Sequence, residues 1–502
     1  MTTTVRRGPS SAGLDEALAR LEASVERYRY GVARREEGRV LSVADGVARV
    51  SGLPGARLDE ILQVGDHGEA LAMNLEPDEV KAVLLGEVDA VRVGDPVHTS
   101  GRVASVPVGD RLLGRVVDPL GRPLDGLGPV ASDAIWPMER PAPPILSRAP
   151  VSQPLLTGLL AVDALFPVGR GQRQLILGDR GTGKSTIATD AVINQRRSDV
   201  TSVYVSIGQM GSSVVSLVEA LRRSHALERT VVVVAEAEAA PGLRFLAPYA
   251  GCTIAEWFRD RGRDALVVYD DLEAHAIAYR ELSLLMRRPP GREAYPGDVF
   301  FLHARLLERA TRLVDAEGGG SLTALPIAET RASRIADYIP TNLISITDGQ
   351  LILDPRLFHR GFKPAIDVGT SVSRVGAKTQ PPAMKAVAGR LRLDAARFAE
   401  LEVFTRFGAR VEASTRKQLE RGERARELLK QGPASPRRLG AQVALLMALQ
   451  EGLFDPVPVR EVGRRAEVLV ESVEARDASL LSDLEGGLEP GEDERRRVRE
   501  AW

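Results

Sequence analysis

A single cysteine, Cys252, excludes an internal disulfide framework and suits a reducing compartment, where it reads as a small buried hydrophobe. A basic surplus is also missing. Lys and Arg number 67 against 68 Asp and Glu, so the chain lacks the excess that gripping a phosphate backbone requires. No nucleic-acid partner is expected. No apolar run approaches the ~18–20 residues of a membrane span; Val231–Ala235 is strand-sized. The opening MTTTVRRGPSSAG has no apolar signal core, and Asp15 and Glu16 follow it. The expectation is a soluble chain whose membrane association comes through partners. Its 502 residues predict about three domains.

What is present is concentrated in residues 171–192, GQRQLILGDRGTGKSTIATDAV. Gln174–Leu177 reads as a short buried strand, and Ser185, Thr186, Ile187 and Ala188 open a helix. Between them Gly178, Asp179, Arg180, Gly181, Thr182, Gly183, Lys184 and Ser185 match G-x-x-x-x-G-K-[ST] in its required strand–helix context. The glycines let backbone N–H groups wrap a phosphate chain without a Cβ in the way. The helix N-terminus favours an anion, Lys184 supplies a point charge, and Ser185 offers a hydroxyl to Mg²⁺. A bound nucleotide, ATP or ADP with Mg²⁺, is the expectation.

Such a loop needs an acidic partner at another strand end to organise the cation. Ala265–Tyr269 followed by Asp270 and Asp271 supplies it, with Asp270 the better candidate and Asp271 the runner-up. Hydrolysis further needs a group that orients or deprotonates water. The strand after the phosphate-loop helix ends in Gln209, whose amide positions water but takes no proton. Glu236 and Glu238, after the next strand, are possible substitutes.

Around this centre the chain divides by rhythm. Leu14, Leu18, Leu21, Val25 and Tyr28 mark an amphipathic helix over 14–30, either packed on the body or a docking handle. Short strands with turns from about residue 38 to 105 predict a small closed β-barrel, starting with a hairpin at Asp45-Gly46. Residues 126–154 form a proline-rich crossover. The block 155–375 alternates strands and helices as a doubly wound parallel sheet does, with strands at Ser202–Ile207, Thr230–Ala235, Ala265–Tyr269, Ser321–Ile327 and Leu343–Thr347. Beyond Arg374 the composition predicts a helical domain, ending in solvated helix or a frayed tail. The divisions are an arm at 1–36, the barrel at 37–105, a RecA-like P-loop domain at 106–376 and the helical domain at 377–502.

GRVLSVADGVARVSGLP, GRVVDPLGRPLDG, GDRGTGKS, YVSIGQ, the run from Tyr269 to Ala310, YIPTNLISITDGQ and SVSRVG, in that order, closely resemble the α subunit of the F-type rotary ATP synthase. The resemblance spans about residues 14–455 and implies a multi-domain α/β chain that binds Mg·ATP without turnover. The catalytic β subunit of that family carries Glu where this chain has Gln209. In SVSRVG, the resemblance makes Arg374 an arginine finger reaching the neighbouring β subunit's γ-phosphate. Phe358, Lys363 and Gln431 fall where the family contacts the base. There are departures: Gly181 stands for a common Gln, Lys363 for Arg, and Pro433 for a second base-contacting Gln. They suggest a divergent version, a second copy beside a housekeeping one.

The implied partners are β subunits alternating with α in a six-membered ring, a γ shaft, and a peripheral-stalk δ subunit docked on the N-terminal helix. The implied location is peripheral, on the cytoplasmic face of a bacterial membrane, moving H⁺ or Na⁺. The rival reading is a self-sufficient hexameric P-loop ATPase, secretion-type or Rho-like. That rival needs a catalytic carboxylate in place of Gln209 and, in its RNA form, a basic aromatic barrel.

Overall fold

A computed structural model describes residues 36–66, 68–86, 91–406 and 413–502. The amphipathic helix expected over 14–30 lies outside them.

Six antiparallel strands open the fold: β1 (Glu37–Ala44), β2 (Val47–Ser51), β3 (Glu60–Val64), β4 (Gly68–Leu75), β5 (Glu79–Leu84) and β6 (Pro96–Val103). They close as a barrel in the order β1-β2-β5-β4-β3-β6, with β6 returning to β1. Alternation places Val40, Ala48, Val50, Leu62, Ala70, Ala82 and Val97 inside. The turn at Asp45 and Gly46 takes φ of 49° and 84°, the left-handed pair that suits a two-residue hairpin. Outward-facing Ile61, Leu71, Val83 and Leu85 join the core of the central domain. At that seam Gly242 is needed, because a Cβ there would sit 2.7 Å from Leu85 Cδ2 and 2.8 Å from Val83 Cγ1.

The central sheet contains β7 (Val116–Val117), β8 (Leu175–Asp179), β9 (Thr201–Gln209), β10 (Thr230–Glu236), β11 (Asp264–Asp270), β12 (Ser321–Thr330), β13 (Gly349–Leu353) and β14 (Val372–Ser373). Its order is β14-β13-β8-β12-β11-β9-β10-β7. All neighbours run parallel except β14, which lies antiparallel on β13. Helices cover both faces, which is why β10 and β11 read as unbroken apolar runs with every core position buried. They are α1 (Leu160–Leu165), α2 (Lys184–Asn194), α3 (Gly211–Arg223), α4 (Pro241–Arg259), α5 (Leu272–Leu285), α6 (Val299–Glu308), α7 (Tyr338–Ile346) and α8 (Pro355–His359).

One expected strand is a helix. Leu343–Thr347 belongs to the end of α7, and the strand is Gly349–Leu353, immediately beyond. The apolar run Leu343-Ile344-Ser345-Ile346 is too short for its period to decide. Pro340 decides it instead: in the first turn of α7 its missing N–H leaves no helical bond unmade.

Beyond the sheet lie α9 (Pro382–Ala388), α10 (Leu391–Arg406), α11 (Ala413–Leu428), α12 (Leu439–Gln450), α13 (Val462–Glu485) and α14 (Glu492–Ala501). α12 is buried almost all round, and α13 packs along it. The tail is not frayed. α14 folds back with Val498 and Ala501 buried, Arg495 and Arg499 on Glu451, and Trp502 edge-on to Phe454 at 5.0 Å.

Candidate functional site

Strand β8 stops at Asp179 and α2 starts at Lys184, so four residues carry the chain through a tight reversal at the carboxyl edge of the sheet. Gly181 and Gly183 make that turn with φ of 78° and 93°. Gly178 permits close packing, since a Cβ there would meet Thr182 Oγ1 at 2.8 Å and Leu353 Cβ at 2.9 Å. Gly183 is the N-cap of α2 and gives no side-chain cap. The first-turn amides of Lys184, Ser185 and Thr186 therefore point out of the helix toward the loop.

The side chains divide by exposure. Arg180, Ser185 and Thr186 face outward, whereas Thr182 and Lys184 are buried. Thr182 Oγ1 donates to the Asp179 carbonyl at 2.7 Å, and Lys184 Nζ donates to the same oxygen at 2.9 Å. Burial lowers the Lys184 pKa; the charges of Glu329, Asp271, Asp270 and Asp179 oppose that shift. The Asp179 carboxylate faces away from the loop interior, accepting from Thr330 Oγ1 at 2.7 Å and from the Ser333 amide. Asp179 thus ties the phosphate loop to the end of β12.

Asp270 ends β11, two strands from β8. Its Oδ2 accepts from the Tyr204 hydroxyl at 2.7 Å, and its Oδ1 faces the Gln209 amide nitrogen at 3.4 Å. Burial raises its pKa, while Tyr204, Ser185 and Lys184 pull it back. The Ser185 hydroxyl and the Asp270 carboxylate are thus neighbours, both hard oxygen donors suited to Mg²⁺. Asp271 has other work: its Oδ1 caps α5 through the Ala274 amide at 2.6 Å. Burial, then the Asp270 charge, push its pKa up to about 7. Glu236 sits at the register position beside Gln209 with its carboxyl against the start of α3 rather than the phosphate loop.

Loop amides, an uncapped helix start, a buried lysine among carboxylates and a hydroxyl–carboxylate pair together fit a triphosphate with its magnesium ion. Sequence reasoning missed Tyr204, Asp179 as a strut, and Glu329. Glu329 lies level with Gly178 across the parallel pair β12–β8, a register that no local pattern records.

The three base-side candidates behave differently. The Phe358 ring lies over the phosphate loop, 3.7 Å from where a Gly183 Cβ would be. Lys363 Nζ stands 4.3 Å above that ring. The Gln431 amide is already engaged: its oxygen accepts from the Leu160 amide at 2.9 Å, and its nitrogen donates to the Gly158 and Ser435 carbonyls at 2.8 and 3.0 Å. It ties the Gly158–Leu160 segment to the Gln431–Ser435 segment.

Arg374 is elsewhere. Ser373 pairs with Gly349, and Gln350 is level with Leu175. Arg374 therefore follows β14 at the amino edge of the sheet, and its amide donates to the Asp348 carbonyl at 2.9 Å. At ~3.3 Å per residue, that level is roughly 20 Å below Asp179. The exposed guanidinium donates to the carbonyls of Thr347 at 2.8 Å and Ile344 at 3.3 Å, at the end of α7.

Two family models match the chain: "ATP synthase alpha/beta family, nucleotide-binding domain" over residues 158–373, and "ATP synthase alpha/beta chain, C terminal domain" over residues 380–502. ATP synthase subunit alpha 2 of Syntrophotalea carbinolica is 55% identical over 444 residues, 88% of this chain and 85% of that protein. ATP synthase subunit alpha 2 of Polaromonas naphthalenivorans is 51% identical over 484 residues, 96% and 93% of the two chains. ATP synthase subunit alpha of Dehalococcoides mccartyi is 50% identical over 475 residues, 94% of each. With the barrel, the P-loop sheet and the helical domain in the same succession, the chain belongs to the ATP synthase alpha/beta family and groups there with the alpha subunits.

Proposed function

We propose that this chain is the non-catalytic, nucleotide-binding α subunit of an ion-translocating F-type ATP synthase, and that it holds Mg·ATP or Mg·ADP without turning it over. Gly178, Gly181, Gly183, Lys184, Ser185 and Thr186 hold the phosphates, with Ser185 and Asp270 on the magnesium side and Phe358 and Lys363 on the base side. Gln209 donates toward Asp270 where a catalytic chain needs a carboxylate aimed at water.

The observation that carries this reading is the position of Arg374. A guanidinium at the amino edge cannot reach phosphates at the carboxyl edge of the same sheet. A finger placed there serves a neighbouring chain, which fits a ring of alternating α and β subunits closed by head-to-tail contacts. A γ shaft in that ring, a δ subunit on the N-terminal arm, and a peripheral position on the cytoplasmic face of a bacterial membrane complete the proposal. The described residues contain no helix long and apolar enough to cross a membrane. The match to relatives named alpha 2 suits a second copy beside a housekeeping enzyme.

The test is ATP turnover by the purified chain alone and by the complex reconstituted with β and γ subunits. The expected result is binding without steady turnover by the single chain, and hydrolysis by the complex. Brisk hydrolysis by the chain alone would replace this reading with the self-sufficient hexameric ATPase.

A further inference from the structure

Asp270, the acid on the magnesium side, takes a hydrogen bond at 2.7 Å from Tyr204, a residue of β9 that is only 1% exposed. β9 runs between β10 and β11, with Tyr204 level with Val268 and Ser206 level with Asp270. Side chains alternate along a strand, so Tyr204 and Asp270 share one face of the sheet, two residues or roughly 6.6 Å apart along it. A phenol spans that step; a serine or threonine hydroxyl at 204 would fall short of it. The ring lies in the core that α2 forms on this face, with Ile187, Ala188, Ala191 and Val268.

A buried tyrosine hydroxyl finds a hydrogen-bond partner, and this one finds the acid at the end of the neighbouring strand. The contact from Gln209 to the other Asp270 oxygen is longer, 3.4 Å, so Tyr204 is the closer of these two donors. The hydroxyls of Thr189 and Ser185 on α2 also act on the phenol. Thr189 Oγ1 donates to the Ser185 carbonyl at 2.8 Å, which leaves the Ser185 hydroxyl for other work. Tyr204 thus acts on both members of the hydroxyl–carboxylate pair from beneath them. Its chemistry suits that place. A neutral donor fixes the rotation of a carboxylate and leaves the negative charge for a cation, whereas a lysine or arginine there would cancel it.

We propose that Tyr204 is a positioning residue for magnesium: its hydroxyl fixes the rotation of the Asp270 carboxylate and holds that acid toward Ser185. The inference rests on the nucleotide reading of the phosphate loop. It adds a residue that touches neither phosphate nor metal and acts through one that faces the metal. Removing such a hydrogen-bonded partner typically lowers metal affinity about 10–100-fold.

The test is calorimetric affinity of the purified full-length chain for ATP, once with Mg²⁺ and once with EDTA. It compares wild type, Tyr204→Phe, Asp270→Ala and the double variant. Tyr204→Phe keeps the ring in the core and removes only the hydroxyl. Its metal-free ATP affinity should match wild type, which also shows that the variant folds, while the gain in affinity from Mg²⁺ should fall about 10-fold. In the Asp270→Ala background, Tyr204→Phe should change that gain no further, because its effect runs through the carboxylate. Equal losses with and without the metal would leave Tyr204 a core residue only and overturn the inference. So would an unchanged gain in Tyr204→Phe, a wild type with no gain from Mg²⁺, or an undiminished effect of Tyr204→Phe without the Asp270 carboxylate. A wild-type chain that binds no ATP in either condition is a distinct result, which removes the proposed function and this inference with it.

Discussion

The two edges of the central sheet each present a cation, and the cations are held in different ways. Lys184, at the carboxyl edge, is buried beneath a loop and donates to a backbone carbonyl, with four carboxylates close enough to perturb its charge. Arg374, at the amino edge, is exposed, rests on two neutral carbonyls at the end of α7, and forms no ion pair among the described residues. A lysine enclosed by acids suits a ligand of its own chain that brings negative charge and a metal ion with it. A guanidinium braced by carbonyls keeps its full charge and its planar fork for something outside. In the proposed function, one edge binds and the other lends.

The largest expected effect breaks this comparison at the lending edge. In the complex reconstituted with β and γ subunits, Arg374→Ala should lower steady-state hydrolysis by about 10³-fold or more, the range that fingers in trans supply. Mg·ATP binding to the isolated chain should not change. Full activity of that complex would return Arg374 to a structural role at the end of α7. The next effect is at the binding edge. Lys184→Ala removes a charge-assisted contact worth about 1.5–3 kcal/mol, so Mg·ATP affinity of the isolated chain should fall about 10–100-fold by calorimetry. Unchanged affinity would mean the loop does not hold the phosphates.

These two edges were unequally legible in the sequence. The phosphate loop is local: its glycines, lysine and hydroxyl lie within eight consecutive residues between a strand and a helix, and the structure places them as that spacing requires. Asp270 was legible too, because an apolar strand ending in carboxylates signals itself. Arg374 was not legible from its own surroundings; only the resemblance gave it a role, and its place at the opposite edge depends on the antiparallel return of β14. Tyr204 and Glu329 were missed for the same reason, since each meets the site through strand order rather than through neighbours in the chain. Leu343–Thr347 was misread because a five-residue apolar run fits either period, and the strand lay just beyond it. For Gln431 only the resemblance names a place beside the base, and the three backbone partners of its amide come from segments that its local sequence does not record.

A smaller effect sharpens how the binding edge is tied to the helical domain. Asp190 on α2 accepts from the Ala434 amide at 2.7 Å, linking the phosphate-loop helix to the segment that carries Gln431. Burial raises the Asp190 pKa from 3.8 to about 6. The folded chain therefore favours the neutral carboxyl. That contribution is fully present below pH ~4 and is lost as pH rises through about 6, amounting to roughly 2–3 kcal/mol at 1.36 kcal/mol per pKa unit. Asp190→Asn keeps the carbonyl acceptor and cannot ionise. Its stability relative to wild type should rise between pH 4 and pH 7 in thermal or urea unfolding; a constant difference across that range would show that the carboxyl does not titrate there.

The smallest effect concerns the base side, where Lys363 stands over Phe358 and Phe358 stands over the phosphate loop. An exposed cation–π contact contributes about 0.5–1 kcal/mol, so Lys363→Ala should change Mg·ATP affinity by only about 2–5-fold. The direction follows from what the ring face does. If the base stacks on the face that Lys363 covers, the variant frees that face and affinity rises; if Lys363 orders the ring for an edge contact, affinity falls. Inorganic pyrophosphate with Mg²⁺ discriminates both from a phosphate role, because it has no base to stack. Its affinity should be the same in wild type and Lys363→Ala. A loss there would show that Lys363 reaches past the ring to the phosphates, and the binding edge would then hold two spent cations instead of one.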